Sequence, residues 1–128
     1  MKNCPCGSVL TYVECCERIH KGTSTANTAE ELMRSRYVAF TKADGEYLLK
    51  SHHASTRPVS DMNEIISWAK SVKWQKLDIL HTNEGGMEDF SGTVEFKAYF
   101  KFKGKKDLIH ENSRFIKEYG IWYYVERL

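Results

Sequence analysis

The chain has 128 residues and a formal net charge of +2, with 41% of its residues hydrophobic and 12% aromatic. That composition excludes a disordered or collagen-like chain and suits one globular domain with a small appendage. So slight a positive excess names neither a nucleic acid nor a membrane as partner, and no apolar run reaches the ~18 residues of a membrane-spanning helix.

The chain opens on its cysteines. All four lie between positions 4 and 16, as Cys4-Pro5-Cys6-Gly7-Ser8 and then Cys15-Cys16. Disulfides stabilise most by closing long loops, and rings formed here would be tiny or vicinal. Met1-Lys2-Asn3-Cys4-Pro5 lacks the apolar core of a signal peptide, so a soluble, reducing, cytoplasmic setting is expected. There, clustered cysteines are metal ligands more often than bridges. Four soft sulfurs suit one Zn²⁺, tetrahedral and without an open position, hence structural and not catalytic. The first turn can supply two of them, with Gly7 free to take positive φ and aim its amide at sulfur. Adjacent residues seldom reach one point, so Cys15-Cys16 requires a sharp turn or helix start, and His20 is a credible substitute for one of them. Residues 1–20 are the expected knuckle.

Residues 21–27, Lys-Gly-Thr-Ser-Thr-Ala-Asn, are polar and aperiodic and read as a linker. The body, 28–128, follows. Thr28-Ala29-Glu30-Glu31 is a capping box, and Leu32, Met33, Tyr37 and Phe40 mark one stripe of a helix. A second helix is predicted over 46–52 and broken by Thr56-Arg57-Pro58. Asp61 and Glu64 repeat the capping logic before a third helix with Met62, Ile65, Ile66 and Ala69 on its apolar face. After Lys73 the period becomes two. Strands are predicted over 74–81, through Val94, Phe96, Ala98, Phe100 and Phe102, over 106–117, and over 121–127, with turns at Glu84-Gly85-Gly86, Lys103-Gly104-Lys105 and Tyr119-Gly120. Helices first and strands after predict an α+β fold, three helices packed on one face of a curved antiparallel sheet.

Cys4-Pro5-Cys6-Gly7-Ser8 with Tyr12 and Cys15-Cys16 resembles the SEC-C zinc motif, Val9 standing where most copies have glycine. That motif is best known from the tail of the bacterial protein-export ATPase, where it contacts a chaperone and ribosomes. The resemblance implies a protein partner, with ribosome or export machinery as candidates, and places Cys16 as the final ligand. Leu32-Met33-Arg34-Ser35-Arg36-Tyr37-Val38-Ala39-Phe40, Tyr47-Leu48-Leu49, Thr56-Arg57-Pro58, His110-Glu111-Asn112-Ser113-Arg114-Phe115 and Trp122-Tyr123-Tyr124 resemble the YchJ-like family of uncharacterised bacterial proteins. The resemblance implies a nuclear-transport-factor-2-like cone, helices in a strongly bent sheet, and allows a homodimer. Many relatives carry a second copy of the zinc motif; this sequence shows one.

In such a cone the strand face Ile109, Glu111, Ser113, Phe115 lines the concavity. Glu111 is the candidate acid/base or ligand anchor for a small molecule, against the blander expectation of an Arg36–Glu111 ion pair holding helix to sheet. Arg34, Arg36, Tyr37, His52, Arg57, Ser113 and Trp122 are the other candidate cavity residues. His52 and His53 also suit a helix end. Trp68, Trp74, Trp122, Tyr37, Tyr123 and Tyr124 read as core before pocket. Lys97, Tyr99, Lys101 and Lys103 share the opposite strand face, which would suit single-stranded nucleic acid but equally serves to keep a soluble sheet from pairing.

Overall fold

The computed structural model describes residues 2–128. A short helix α1 (Cys16–His20) closes the knuckle, and α2 (Ala29–Thr41), α3 (Gly45–Lys50) and α4 (Met62–Ser71) precede four strands, β1 (Lys73–Glu84), β2 (Ser91–Phe102), β3 (Lys105–Glu118) and β4 (Ile121–Arg127). The strands form one antiparallel meander in the order β1-β2-β3-β4. This is the helices-then-sheet α+β architecture expected from the sequence.

Local chemistry sets the helix starts, with some departures from expectation. Thr28 Oγ1 accepts the Glu31 amide at 3.1 Å, but the reciprocal half of the capping box is not made. The Glu31 carboxylate turns instead to Arg18 of the knuckle at 2.9 Å. The second helix starts one residue earlier than predicted because Asp44 Oδ1 caps it, accepting the Tyr47 amide at 3.1 Å, and it ends at Lys50 with Ser51 as its C-cap. At the third, Asp61 does not cap. Val59–Asp61 form a 3₁₀ turn after Pro58, which leaves Asp61 already helical with φ −98° and ψ −4°.

On β2 the inward residues Val94, Phe96, Ala98 and Phe100 are buried, and the pattern runs out at Phe102, which is 42% exposed. α2 lies against this face, touching β1, β2 and β4. Bulges in β1 between Trp74 and Lys76 and between Ile79 and His81, and in β4 at Val125 opposite Arg114 and Phe115, bend their strands and add to the twist of the sheet. At the base of the first hairpin Gly92 passes so close to Gly85 that a Cβ on Gly92 would stand 2.4 Å from the Gly85 nitrogen, so a side chain there would push the backbones apart.

The edge of β4 is covered by the end of α3. The His53 amide donates to Tyr124 O at 2.8 Å and the Tyr124 amide to Ser51 O at 2.9 Å, a parallel bridge that leaves little free edge for pairing. Residues 21–27 pack on the body. Ala26 is buried, and Trp122 Nε1 donates to Asn27 O at 3.2 Å. On the convex face Lys97 stands across from Asp78 and His110 in the strand register, and Glu95 pairs with His110 at 2.7 Å. That face is of mixed sign.

Candidate metal centre and cone cavity

The sulfurs of Cys4, Cys6, Cys15 and Cys16 all lie within 4.8 Å of one another. Cys6 and Cys15 are 3.7 Å apart and Cys15 and Cys16 3.9 Å. Four sulfurs at about 2.3 Å from a common centre would be spaced about 3.8 Å, so the cluster has the size and donor chemistry of a tetrahedral thiolate site. It can hold a metal ion. Adjacent Cys15 and Cys16 reach one point because Cys15, at φ −114° and ψ −101°, turns the chain sharply into α1, where Cys16 is the first residue.

Gly7 does take positive φ, at +92°, but its amide donates to Cys4 O at 3.0 Å and not to sulfur. The amides aimed at sulfur are those of Ser8, toward Cys6, and of Cys6 and Cys16, toward Cys4. Ser8 Oγ adds a hydrogen bond to Cys15 Sγ at 3.4 Å. The Cys16 thiol, as donor, draws Cys6 down to about 4. The same bond, with burial and the neighbouring sulfurs, holds Cys16 well above the usual thiol range. Without a cation the neighbouring sulfurs and burial oppose ionisation of Cys4 and Cys16; an ion at the centre would offset that mutual repulsion.

His20 stands outside the cluster. Its Nε2 donates to the Ser35 carbonyl at 2.7 Å, which fixes the tautomer and leaves Nδ1 to accept from Tyr12 Oη at 2.9 Å. The ring also packs on Tyr47, with centroids 4.7 Å apart. Arg34 Nη1 donates to Cys6 O at 2.6 Å. His20 and Arg34 therefore bolt the knuckle to α2.

Arg36, His52 and Glu111 line one cavity of about 450 Å³ between α2, α4 and the sheet. Tyr37 lines an adjoining space of about 110 Å³ that shares Glu111. The other four candidates lie elsewhere. Positions 34 and 36 are about 200° apart around a helix, so Arg34 faces the knuckle while Arg36 faces the sheet. Arg57 is exposed and donates through Nε to His52 O at 3.0 Å. Trp122 lines a cleft of about 180 Å³ between β4, the linker and α3. Ser113 is wholly buried under the sheet, its Oγ without a hydrogen-bond partner among the described residues.

The expected Arg36–Glu111 ion pair is not formed. Glu111 meets Arg127 at 3.6 Å, while Arg36 Nη1 donates to Leu48 O at 2.9 Å and Ser51 Oγ at 2.7 Å. Its guanidinium lies 4.6 Å over the Tyr124 ring. Burial lowers Arg36 only to about 10, so it stays charged at neutral pH. Sequence reasoning missed Tyr124 and Ser51 as its supports, because neither spacing nor residue type marks an aromatic that carries a cation.

His52 is held neutral. Burial first, then the charges of Arg36 and Arg57, push it down to about 4. Its unfolded value is near 6.5, so between pH 6.5 and 4 the unfolded chain binds more protons and stability is lost as the pH is lowered. Denaturant titrations at stepped pH should show ~2 kcal/mol lost across that window, discounted because the ring borders the cavity. His52→Gln should flatten that part of the curve; an unchanged slope would assign it to carboxylates.

A family model described as the YchJ middle NTF2-like domain matches residues 28–127. A UPF0225 protein of Shewanella sp. strain MR-4 is 40% identical, over 98% of this chain and 79% of its own length. One from Streptomyces coelicolor is 42% identical, over 96% and 92%. Among solved structures, the solution structure of a SEC-C motif containing protein from Rhodopseudomonas palustris superposes with a TM-score of 0.89 at 35% identity, over 99% of this chain and 98% of that one. A SEC-C motif containing protein from Psychrobacter arcticus gives 0.84 at 31% identity, over 98% and 81%.

Proposed function

Since this chain belongs to the YchJ-like, or UPF0225, family, we propose that it is a protein-interaction adaptor whose docking element is the N-terminal knuckle, held by one structural Zn²⁺ on Cys4, Cys6, Cys15 and Cys16. The observation that carries this reading is the loop between the second and third cysteines. Val9, Leu10 and Val13 are 86%, 45% and 59% exposed on it, on a segment that His20 and Arg34 fasten rigidly to α2. A short loop drawn tight at both ends by one ion cannot fold back to bury these side chains, so they stay presented to a partner.

Charge plays a smaller part. Arg18 is committed to Glu31 and Lys21 to Glu17, which leaves apolar contact as the main attraction. The partner is a protein segment with exposed aliphatic side chains, and the resemblance to the SEC-C motif favours a cytoplasmic one on the ribosome or export apparatus. Among the described residues no helix is long and apolar enough to cross a membrane. Val9→Asp with Val13→Asp leaves every sulfur in place. The doubly substituted protein should keep its metal and its melting temperature and lose a partner that the wild type binds as a purified pair. Equal binding by this variant, or by Cys4→Ser, would overturn the proposal.

A further inference from the structure

Arg36 is 5% exposed, and no carboxylate lies within salt-bridge distance of it among the described residues. Its side-chain hydrogen bonds to the protein run through Nη1 to neutral oxygens, Leu48 O and Ser51 Oγ. A cation taken out of water without a counter-ion is costly, and buried charges are ordinarily paired. Arg36 is not sealed in a packed core, however. It lines the cavity of about 450 Å³, whose other walls include Phe40, Met62, Trp68 and Phe96. That volume is in the range of small-molecule sites, which pair apolar walls with a few fixed polar groups.

The cavity also carries two carboxylates, Glu111 in the sheet wall and Glu64, exposed on α4, so what selects an anion is the geometry immediately around Arg36. His52 Nε2 lies 3.0 Å from Thr56 Oγ1, and that hydroxyl spends its proton on Val125 O at 2.6 Å. The imidazole must therefore be the donor, with Nδ1 as its lone-pair side, and it adds no second cation. The Tyr124 ring beneath the guanidinium holds the fork in a fixed plane, 4.6 Å from the centroid. A planar, fixed, unpaired guanidinium beside apolar walls matches a planar anion carried on an apolar body.

We propose that the cone cavity is a binding site for a small aryl or branched aliphatic carboxylic acid, its carboxylate on the free donors of Arg36 and its body against Trp68, Phe96 and Phe40. Glu111, half-buried in the same wall and offset toward Arg127, selects against a second carboxylate on the ligand. This site is separate from the knuckle and independent of the adaptor reading.

The test is a heteronuclear NMR titration of the full-length, metal-loaded protein with phenylacetate and indole-3-acetate, each against its neutral primary amide. The acids should shift the Arg36 Nε–H, Tyr124 and His52 resonances and bind about tenfold or more tightly than the amides. Arg36→Met should abolish that preference. Should that variant not fold, Glu111→Gln serves, since removing the half-buried anion should widen the acid-over-amide ratio. Acids and amides binding alike, no shift at Arg36 with either acid at millimolar concentration, or a ratio left unmoved by Glu111→Gln, would each overturn the proposal.

Discussion

Replacing Cys16 by serine, or stripping the metal with a chelator, should lower the thermal midpoint by on the order of 10 °C, through loss of about 3 kcal/mol in a chain of this size. The sulfurs of Cys4, Cys6 and Cys16 and the side chain of Ile19 are continuous with the main core. When the ion goes, four crowded sulfurs that oppose one another's ionisation lose the charge that gathers them, and a segment of this length has no core of its own to hold it. Ile19 then leaves its packing, at roughly 2 kcal/mol, and the His20 bond to Ser35 O goes with it, at about 1 kcal/mol. The sheet does not depend on these contacts. Its four strands pair with one another in a single meander, and Val94 and Phe115 on β2 and β3 are fully buried.

The loss should therefore be local first. In the metal-free protein the four thiols should alkylate rapidly and the amide signals of residues 2–20 collapse toward the centre of the spectrum, while those of β2 and β3 keep their dispersion. Elemental analysis of the untreated protein should return about one equivalent of zinc, the ion four cysteine ligands prefer. A metal-free form that melts with the native one would show that the sulfurs hold the knuckle by packing alone.

Periodicity located every strand, because strands of this sheet bury one face and expose the other. β4 matched its predicted bounds, while β1 ran further than predicted, pairing on through Thr82, Asn83 and Glu84 although those side chains are exposed. The cysteine cluster was legible from spacing alone, whereas which residues lock it to the body was not. His20 read as a possible ligand, and its role as a bolt depends on Ser35 O being 2.7 Å away, fifteen positions along the chain. The cavity residues were divided by a fact that the sequence does contain: Arg34 and Arg36 cannot share a helix face. The absence of an Arg36–Glu111 pair was not legible, because it depends on Arg127 and Ser51 offering alternatives from β4 and the end of α3.

Trp122 shows how the same residue type can serve core or cavity, and it is expected to give the largest effect of any single side chain in the body. It is 1% exposed, and its indole closes the floor of the cleft of about 180 Å³ where β4, the linker and α3 meet. Trp122→Ala should cost about 3–5 kcal/mol in urea denaturation. The ring is large, and its neighbours Leu32 and Tyr47 belong to rigid helices that cannot collapse into the space. Trp122→Phe separates volume from polarity. It keeps an aromatic in the floor but leaves Asn27 O without the Nε1 donor at 3.2 Å, so about 1–2 kcal/mol of the total should already be lost. Because Asn27 stands at the end of the linker, one residue before the Thr28 cap, the Phe variant should also loosen the hold of residues 21–27 on the body. Faster hydrogen exchange there, with β3 unchanged, would register it. If the phenylalanine variant were as unstable as the alanine one, the hydrogen bond and not the ring would be what fixes the linker to the sheet.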